Sequence, residues 1–299
     1  MPAAPLPVRD GLNPTRLRLP ADDTCTTVLD YLLARFPEDA DRLREKVDAA
    51  EVVITDGTAV TRETPYRANT FVFLYRDPPA EPRVPFEVEV LYRDDDLLVV
   101  DKPHFLSSTP RGRHVVESAL VRLRRDLDLP DLTPAHRLDR VTAGVLMFTI
   151  RPEVRRDYQE LFAHRRVRKE YEAIAPFDPT LTLPATVRSR IVKPEGELRC
   201  VEVPGEPNAQ TRIELIAARA GLGRYRLVPD TGRMHQLRVH LNSLGIPIVG
   251  DNFYPTLYDI APDDYSSPLQ LLARSLSFTD PRSGRPRVFT SGRQLAAWP

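Results

Sequence analysis

The stretch His136-Arg137-Leu138-Asp139-Arg140-Val141-Thr142-Ala143-Gly144 sets a carboxylate between two arginines, and Val145 to Ile150 follows it directly. That unbroken apolar run reads as a buried strand. A second dense string lies about ninety residues on: Thr231-Gly232-Arg233-Met234-His235-Gln236-Leu237-Arg238-Val239-His240, a Gly turn followed by a row of cationic and hydrogen-bonding side chains. An Asp flanked by arginines is by itself most often a surface ion pair. Its weight comes from what accompanies it.

Working outward from Asp139, a helix is expected over about 115–127 and another over 152–164, with a strand through Tyr171 to Ile174. Further strands are expected at Ile213–Ala217 and Tyr225–Val228, and Met234 to Leu244 reads as a helix with Leu237, Leu241 and Leu244 on one side. Upstream, Phe86, Val88, Val90 and Tyr92 alternate with polar residues, and Leu97–Val100 is a continuous apolar run. Strands and helices mix without regular βαβ alternation, which predicts an α+β fold around a mixed, mainly antiparallel sheet. Asp77 to Pro82 reads as a linker. Before it, Thr26 and Thr27 offer N-caps to a short helix stopped by Pro37, a second helix covers about 39–50, and Val52–Ile54 and Phe71–Tyr75 are strands, with Asp56-Gly57 as a hairpin turn. The expected organisation is an arm over 1–20, a small helix-hairpin module over 21–80 and a larger domain over 81–299.

The chain has 299 residues, 41% hydrophobic and 28% charged, which suits a soluble protein with a substantial core. No window is long and apolar enough for a bilayer, and Met1–Pro20 lacks an apolar signal core, so a cytoplasmic protein without membrane association is expected. Cys25 and Cys200 lie too far apart for a metal-binding spacing. Formal net charge is zero, with 42 acidic and 42 basic residues, yet the charges are uneven. Arg111, Arg113, Arg122, Arg124 and Arg125 precede the Asp139 string, and Arg165, Arg166, Arg168 and Lys169 follow it; acid gathers at Asp94–Asp96 and at Asp259, Asp263 and Asp264. A neutral chain can still carry one basic face.

The two strings together resemble the RluA family of RNA pseudouridine synthases. Further segments in the same order extend the resemblance over about 86–292: Val99-Val100-Asp101-Lys102-Pro103, Arg168-Lys169-Glu170-Tyr171, Gly245 to Tyr254, and Leu271 to Phe278 followed by Asp280-Pro281. Three positions depart from the family pattern. Ala143 stands where serine is usual, Leu272 where histidine is common, and His104-Phe105 follows Lys102-Pro103, which bears on the rim of the cleft and on target choice. The helix-hairpin module is similar to a degenerate S-four-like RNA-binding module, and a purely structural cap is an equal reading.

The resemblance implies isomerisation of uridine to pseudouridine in structured ribosomal or transfer RNA, by a monomer needing no cofactor, nucleotide or metal. It implies Asp139 as the catalytic carboxylate, Arg233 as the guanidinium that keeps it ionised, and Tyr171 as the aromatic packed on the target base. Arg137, Arg140, Lys102, Lys169, His235, Gln236, Arg238 and Leu237 are the expected RNA-contacting positions, Arg137 filling the space left by an extruded base. His136 is expected to brace the loop, and Lys102 has the plain alternative of capping a strand end. Two other functions were weighed: a catalytically idle RNA binder, and a glycosidase-like hydrolase pairing Asp139 with a second carboxylate such as Asp251.

Overall fold

The computed structural model describes residues 4–21, 24–78 and 80–299. They fall into two compact units, Met1–Ala80 and Glu81–Pro299.

In the first unit the elements are β1 (Thr15–Arg18), α1 (Val28–Arg35), α2 (Ala40–Asp48), β2 (Val52–Ile54) and β3 (Phe71–Leu74). Thr27 caps α1 by a capping box: its hydroxyl accepts the Asp30 N–H at 3.1 Å and the Asp30 carboxylate accepts the Thr27 N–H at 3.0 Å. Val28, Leu32, Val52, Val72 and Leu74 close a small core. The helix-helix-hairpin order matches the expectation for the module. The arm does not stay apart from it: β1 pairs antiparallel with β3, giving a sheet of order β1-β3-β2.

The second unit contains β4 (Glu89–Arg93), β5 (Leu97–Lys102), α3 (Ala119–Asp126), β6 (Thr133–Pro134), β7 (Ala143–Thr149), α4 (Arg155–Ala163) and β8 (Arg168–Pro176). There follow β9 (Ala185–Val192), β10 (Val201–Val203), β11 (Ala209–Arg219), β12 (Leu222–Pro229), α5 (Gln236–Ser243), β13 (Leu271–Thr279) and β14 (Pro286–Thr290). An eleven-stranded sheet runs β10-β9-β11-β12-β8-β13-β7-β5-β4, with β14 on β13 and β6 on β7. Among these pairings only β13 with β7 is parallel. The α+β class with a mainly antiparallel sheet is as the sequence predicts.

Leu97–Val100 of β5 and Ala143–Phe148 of β7 are apolar and buried because both faces are covered. Alternate residues serve opposite sides: Leu98, Val100, Leu146 and Phe148 pack with Leu120 and Leu123 of α3, while Leu97, Val99, Val145 and Met147 pack with Tyr158 and Leu161 of α4. Gly144 sits where β7 meets β13. Its φ is +113°, and a Cβ there would lie 2.2 Å from the Ala273 carbonyl oxygen, so only glycine permits this parallel approach.

Three expectations need correction. α3 begins at Ala119 rather than near 115, because the Ser118 hydroxyl accepts the Val121 N–H and caps it there. α5 begins at Gln236, because His235 adopts a left-handed φ of 56° and ends any helix reaching back to Met234. β9 and β10 were not expected at all: in β9 the half-buried Ala185, Val187 and Ser189 alternate with exposed Thr186, Arg188 and Arg190 ahead of buried Ile191, and its pairing to β11 places it. No helix among the described residues is long and apolar enough to cross a membrane.

Candidate active site

Asp139 stands in the loop between β6 and β7, and that loop is fastened from several sides. The Ser108 hydroxyl donates to the Leu138 carbonyl at 2.7 Å and accepts the Leu138 N–H at 3.0 Å. The Lys102 ammonium, fully buried at the end of β5, donates to the carbonyls of Pro103, Leu106 and Arg140 at 2.9, 2.8 and 3.3 Å. His104 Nδ1 donates to the Val141 carbonyl at 2.8 Å, and His136 Nε2 accepts the Met147 N–H at 3.2 Å while its ring stacks on Phe162. Burial pushes His136 down to about 3, so it is a neutral brace at physiological pH, as its sequence context suggested. Lys102 likewise braces the loop; with no exposed surface it cannot reach an RNA, which corrects its expected place among the RNA contacts.

Two basic side chains face the Asp139 carboxylate. Arg238 Nη1 lies 3.7 Å and His235 Nε2 4.0 Å from Oδ2. The expected partner, Arg233, is elsewhere: it is exposed and donates from Nε to the Asn208 carbonyl at 3.2 Å. Four residues separate the two arginines, and the left-handed turn at His235 between them sends one to the rim and the other inward. Arg238 is buried and held by a two-pronged pair with Asp251, at 2.8 and 2.6 Å, under the rings of Phe253 and Tyr254. Burial alone would lower its pKa; the hydrogen bonds and charge of Asp251, with the charge of Asp139, hold it above its ordinary value.

Asp251 is therefore committed. Its side chain has no exposed surface, and it also accepts the N–H groups of Phe253 and Tyr254. It cannot serve as the acid partner of a hydrolase. Gln236 is committed as well: its carbonyl accepts from Thr231 and Arg233, and its amide donates to Gln210 and Thr211. It stitches the Thr231–Arg233 turn to β11 and has no bond left for RNA, contrary to expectation. Leu237 packs in the core beneath the cleft and forms part of its wall.

Tyr171, on β8, lines the same cleft. Burial first, and the charge of Asp139 second, raise its phenol well above the ordinary range, so it stays protonated. Arg137 is exposed in the cleft, and among the described residues its guanidinium has no hydrogen-bond or ion-pair partner. Arg140 donates to the Phe105 carbonyl at 3.3 Å and Lys169 to the Thr231 carbonyl at 3.2 Å; both line the cleft.

The cleft has a volume of about 980 Å³, and seven arginines and two lysines line it against three aspartates. The zero net charge of the chain conceals this: cations are concentrated where Asp139 sits, while many other charges are spent in pairs, such as Glu172 between Arg224 and Arg274. Among the described residues no three His, Cys, Asp or Glu side chains are grouped to hold a metal ion. The sequence alone did not mark Ser108, Tyr254 or the anchoring role of Asp251, although Gly250-Asp251 and Tyr254 stand in the Gly245–Tyr254 segment; that pattern was the available signal.

The fold and this cleft place the chain among the RNA pseudouridylate synthases, whose family model matches residues 96–243. The dual-specificity RNA pseudouridine synthase RluA of Escherichia coli strain K12 is 35% identical over 222 residues, covering 71% of this chain and 94% of that protein. An uncharacterized RNA pseudouridine synthase of Synechocystis is 31% identical over 231 residues, 76% of this chain and 79% of the relative. Among solved structures, human RNA pseudouridylate synthase domain-containing protein 4 superposes with a TM-score of 0.53 at 25% identity, over 70% of this chain and 89% of that one. The chain belongs to the RluA family of RNA pseudouridine synthases.

Proposed function

We propose that this protein isomerises uridine to pseudouridine in structured ribosomal or transfer RNA, with Asp139 as the catalytic carboxylate. The observation that carries this reading is the Asp139 carboxylate, one-third exposed in a cation-lined cleft and faced by a guanidinium that is itself anchored elsewhere. The reaction breaks the bond from base nitrogen N1 to ribose C1′, turns the base, forms the bond from C5 to C1′, and moves a proton from C5 to solvent while N1 gains one. Asp139 acts at the sugar, by attack on C1′ or by taking the C2′ proton; either route needs it ionised. Arg238 places its positive charge 3.7 Å from Oδ2. Because its fork is occupied by Asp251, Arg238 supplies charge without tying up the Asp139 lone pairs.

Tyr171 offers the protonated phenol ring against which the detached base turns, a contact worth ~1–3 kcal/mol for a stacked base. Arg137, free in the cleft, fills the space the base leaves or holds its phosphate. The working unit in this reading is a monomer. The idle-binder reading is disfavoured because a binder has no use for a carboxylate in a basic cleft: it repels the phosphates that the arginines attract.

The test uses ribosomal and transfer RNA, assayed separately and labelled with tritium at C5 of uridine, from cells lacking this protein. Release by the wild type, its loss in Asp139→Ala, and a fall of about tenfold or more in Arg137→Ala with stability changed by less than ~0.5 kcal/mol are expected. Undiminished release from Asp139→Ala ends the assignment of the carboxylate, and a normal rate with Arg137→Ala ends the role given to that arginine.

A further inference from the structure

The ring of His235 is bonded through Nδ1 to the Tyr254 hydroxyl, and its other nitrogen, Nε2, faces Asp139. The Tyr254 hydroxyl lies 2.9 Å from the Cys200 carbonyl oxygen, 2.9 Å from the Cys200 nitrogen and 3.1 Å from His235 Nδ1. A phenol has one proton to give. The Cys200 carbonyl can only accept, so it takes that proton. The Cys200 N–H and His235 Nδ1–H then both donate to the phenol oxygen, which leaves Nε2 of the neutral ring with a bare lone pair. The ring is buried, edge-on to Phe253 and Tyr254, on a residue whose left-handed backbone opens α5. Burial keeps it neutral, lowering its pKa to about 4 against the pull of the Asp139 charge.

Nε2 and Asp139 Oδ2 are thus two acceptors 4.0 Å apart. Neither satisfies the other, and a donor brought into the cleft is needed between or beside them. We propose that His235 Nε2 accepts the proton of the 2′-hydroxyl of the target ribose and so selects ribonucleotide over 2′-deoxyribonucleotide at the isomerised position. The inference rests on the reading of Asp139 as the carboxylate that acts at the sugar. With Oδ2 placed at C1′ or at the C2′ hydrogen, the 2′-oxygen lies on the flank of the carboxylate under either route. The ring oxygen of the ribose can only accept and would meet the lone pair of Nε2 unfavourably. The 2′-hydroxyl is the one donor attached beside the reacting carbon, and it is also the group by which a protein distinguishes RNA from DNA.

The experiment compares single-turnover rates of the full-length protein on two RNAs that differ only in uridine or 2′-deoxyuridine at the target, both tritiated at C5. The ratio of the two rates is read for wild type, His235→Asn and Tyr254→Phe. Asn tolerates the left-handed backbone but is too short to reach. Any intrinsic difference between the two glycosidic bonds enters every ratio equally and cancels between proteins. The wild-type ratio should shrink at least about tenfold in His235→Asn, the effect of one buried hydrogen bond, and by less in Tyr254→Phe, where the ring remains but its tautomer is released. A wild-type ratio near one, or the same ratio within about twofold in a folded His235→Asn protein, overturns the proposal. Should His235→Asn not fold, Tyr254→Phe decides in the same way. A wild type that converts uridine with a ratio insensitive to either variant sinks His235 alone; a wild type that converts no uridine in any RNA sinks the function and this inference with it.

Discussion

At the scale of single residues, the site depends on how charges are apportioned among Asp139, Arg238 and Asp251. A guanidinium that gripped Asp139 in two bonds would stabilise its charge and occupy the oxygens that must do the chemistry. Here the two bonds go to Asp251, and Asp139 sees the guanidinium at 3.7 Å. Asp251→Asn removes the anchor and leaves a buried cation short of a counter-charge. Breaking a buried pair in this way costs ~3–5 kcal/mol. Urea denaturation of Asp251→Asn should show a loss of that size. Stability within about 1 kcal/mol of wild type would mean that Arg238 finds compensation elsewhere, Asp139 being the nearest candidate.

At the scale of elements, the critical contact is the parallel seam between β7 and β13, since β7 leads directly out of the Asp139 loop. The pairing of Leu272 with Ala143 and Ala273 with Gly144 brings two backbones together at a point where no side chain fits. Gly144→Ala adds a methyl group 2.2 Å from a carbonyl oxygen and imposes a positive φ on a residue with a Cβ. The strained backbone alone costs ~1–3 kcal/mol, and the clash adds to it. We expect the denaturation midpoint to fall by at least ~2 kcal/mol equivalent, with activity lost through displacement of the loop. An unchanged midpoint would show that β13 can move aside without cost.

At the scale of the whole molecule, acid should weaken the fold through its histidines before its carboxylates are fully titrated. His104 and His235 are pushed down to about 4 and His136 to about 3, each first of all by burial. His114 and His240 are lowered for the same leading reason. In every case the folded state binds its proton less readily than the unfolded chain, whose histidines titrate near 6.5. The unfolded state therefore holds more protons between about pH 6.5 and 4, and stability must fall as pH drops through that window. Denaturation midpoints measured from pH 7.5 to 4.5 should decline from about pH 6.5, and His136→Gln should flatten the decline. A level profile down to pH 5 would contradict neutral, buried histidines in the folded state. The same scale explains how a chain with no net charge carries a cation-lined cleft: ion pairing elsewhere consumes acid and base together, and seven arginines and two lysines line the cleft around Asp139.

The sequence by itself determined the α+β class, the apolar strand beside the Asp139 loop, the capping of α1 and the candidacy of Asp139 and Tyr171. Those features are local: a run of apolar residues, a Thr three residues before an Asp, an ordered set of short strings. Sequence also indicated His136 as a brace of its loop, and its bond to the Met147 N–H makes it one. Only the tertiary structure decided which arginine faces Asp139, that Lys102 and Gln236 are consumed inside the protein, that Asp251 is an anchor and not an acid, and that His235 presents a bare nitrogen. Arg233 and Arg238 are equivalent as text. One left-handed residue between them separates their directions, and a backbone dihedral at a histidine is fixed by what packs against it, here Phe253 and Tyr254. Hydrogen-bond saturation is equally invisible in a string, because it is a property of every group around a side chain: Lys102 reaches the Arg140 carbonyl 38 residues on, Gln236 is held by β11, and Arg238 by Asp251.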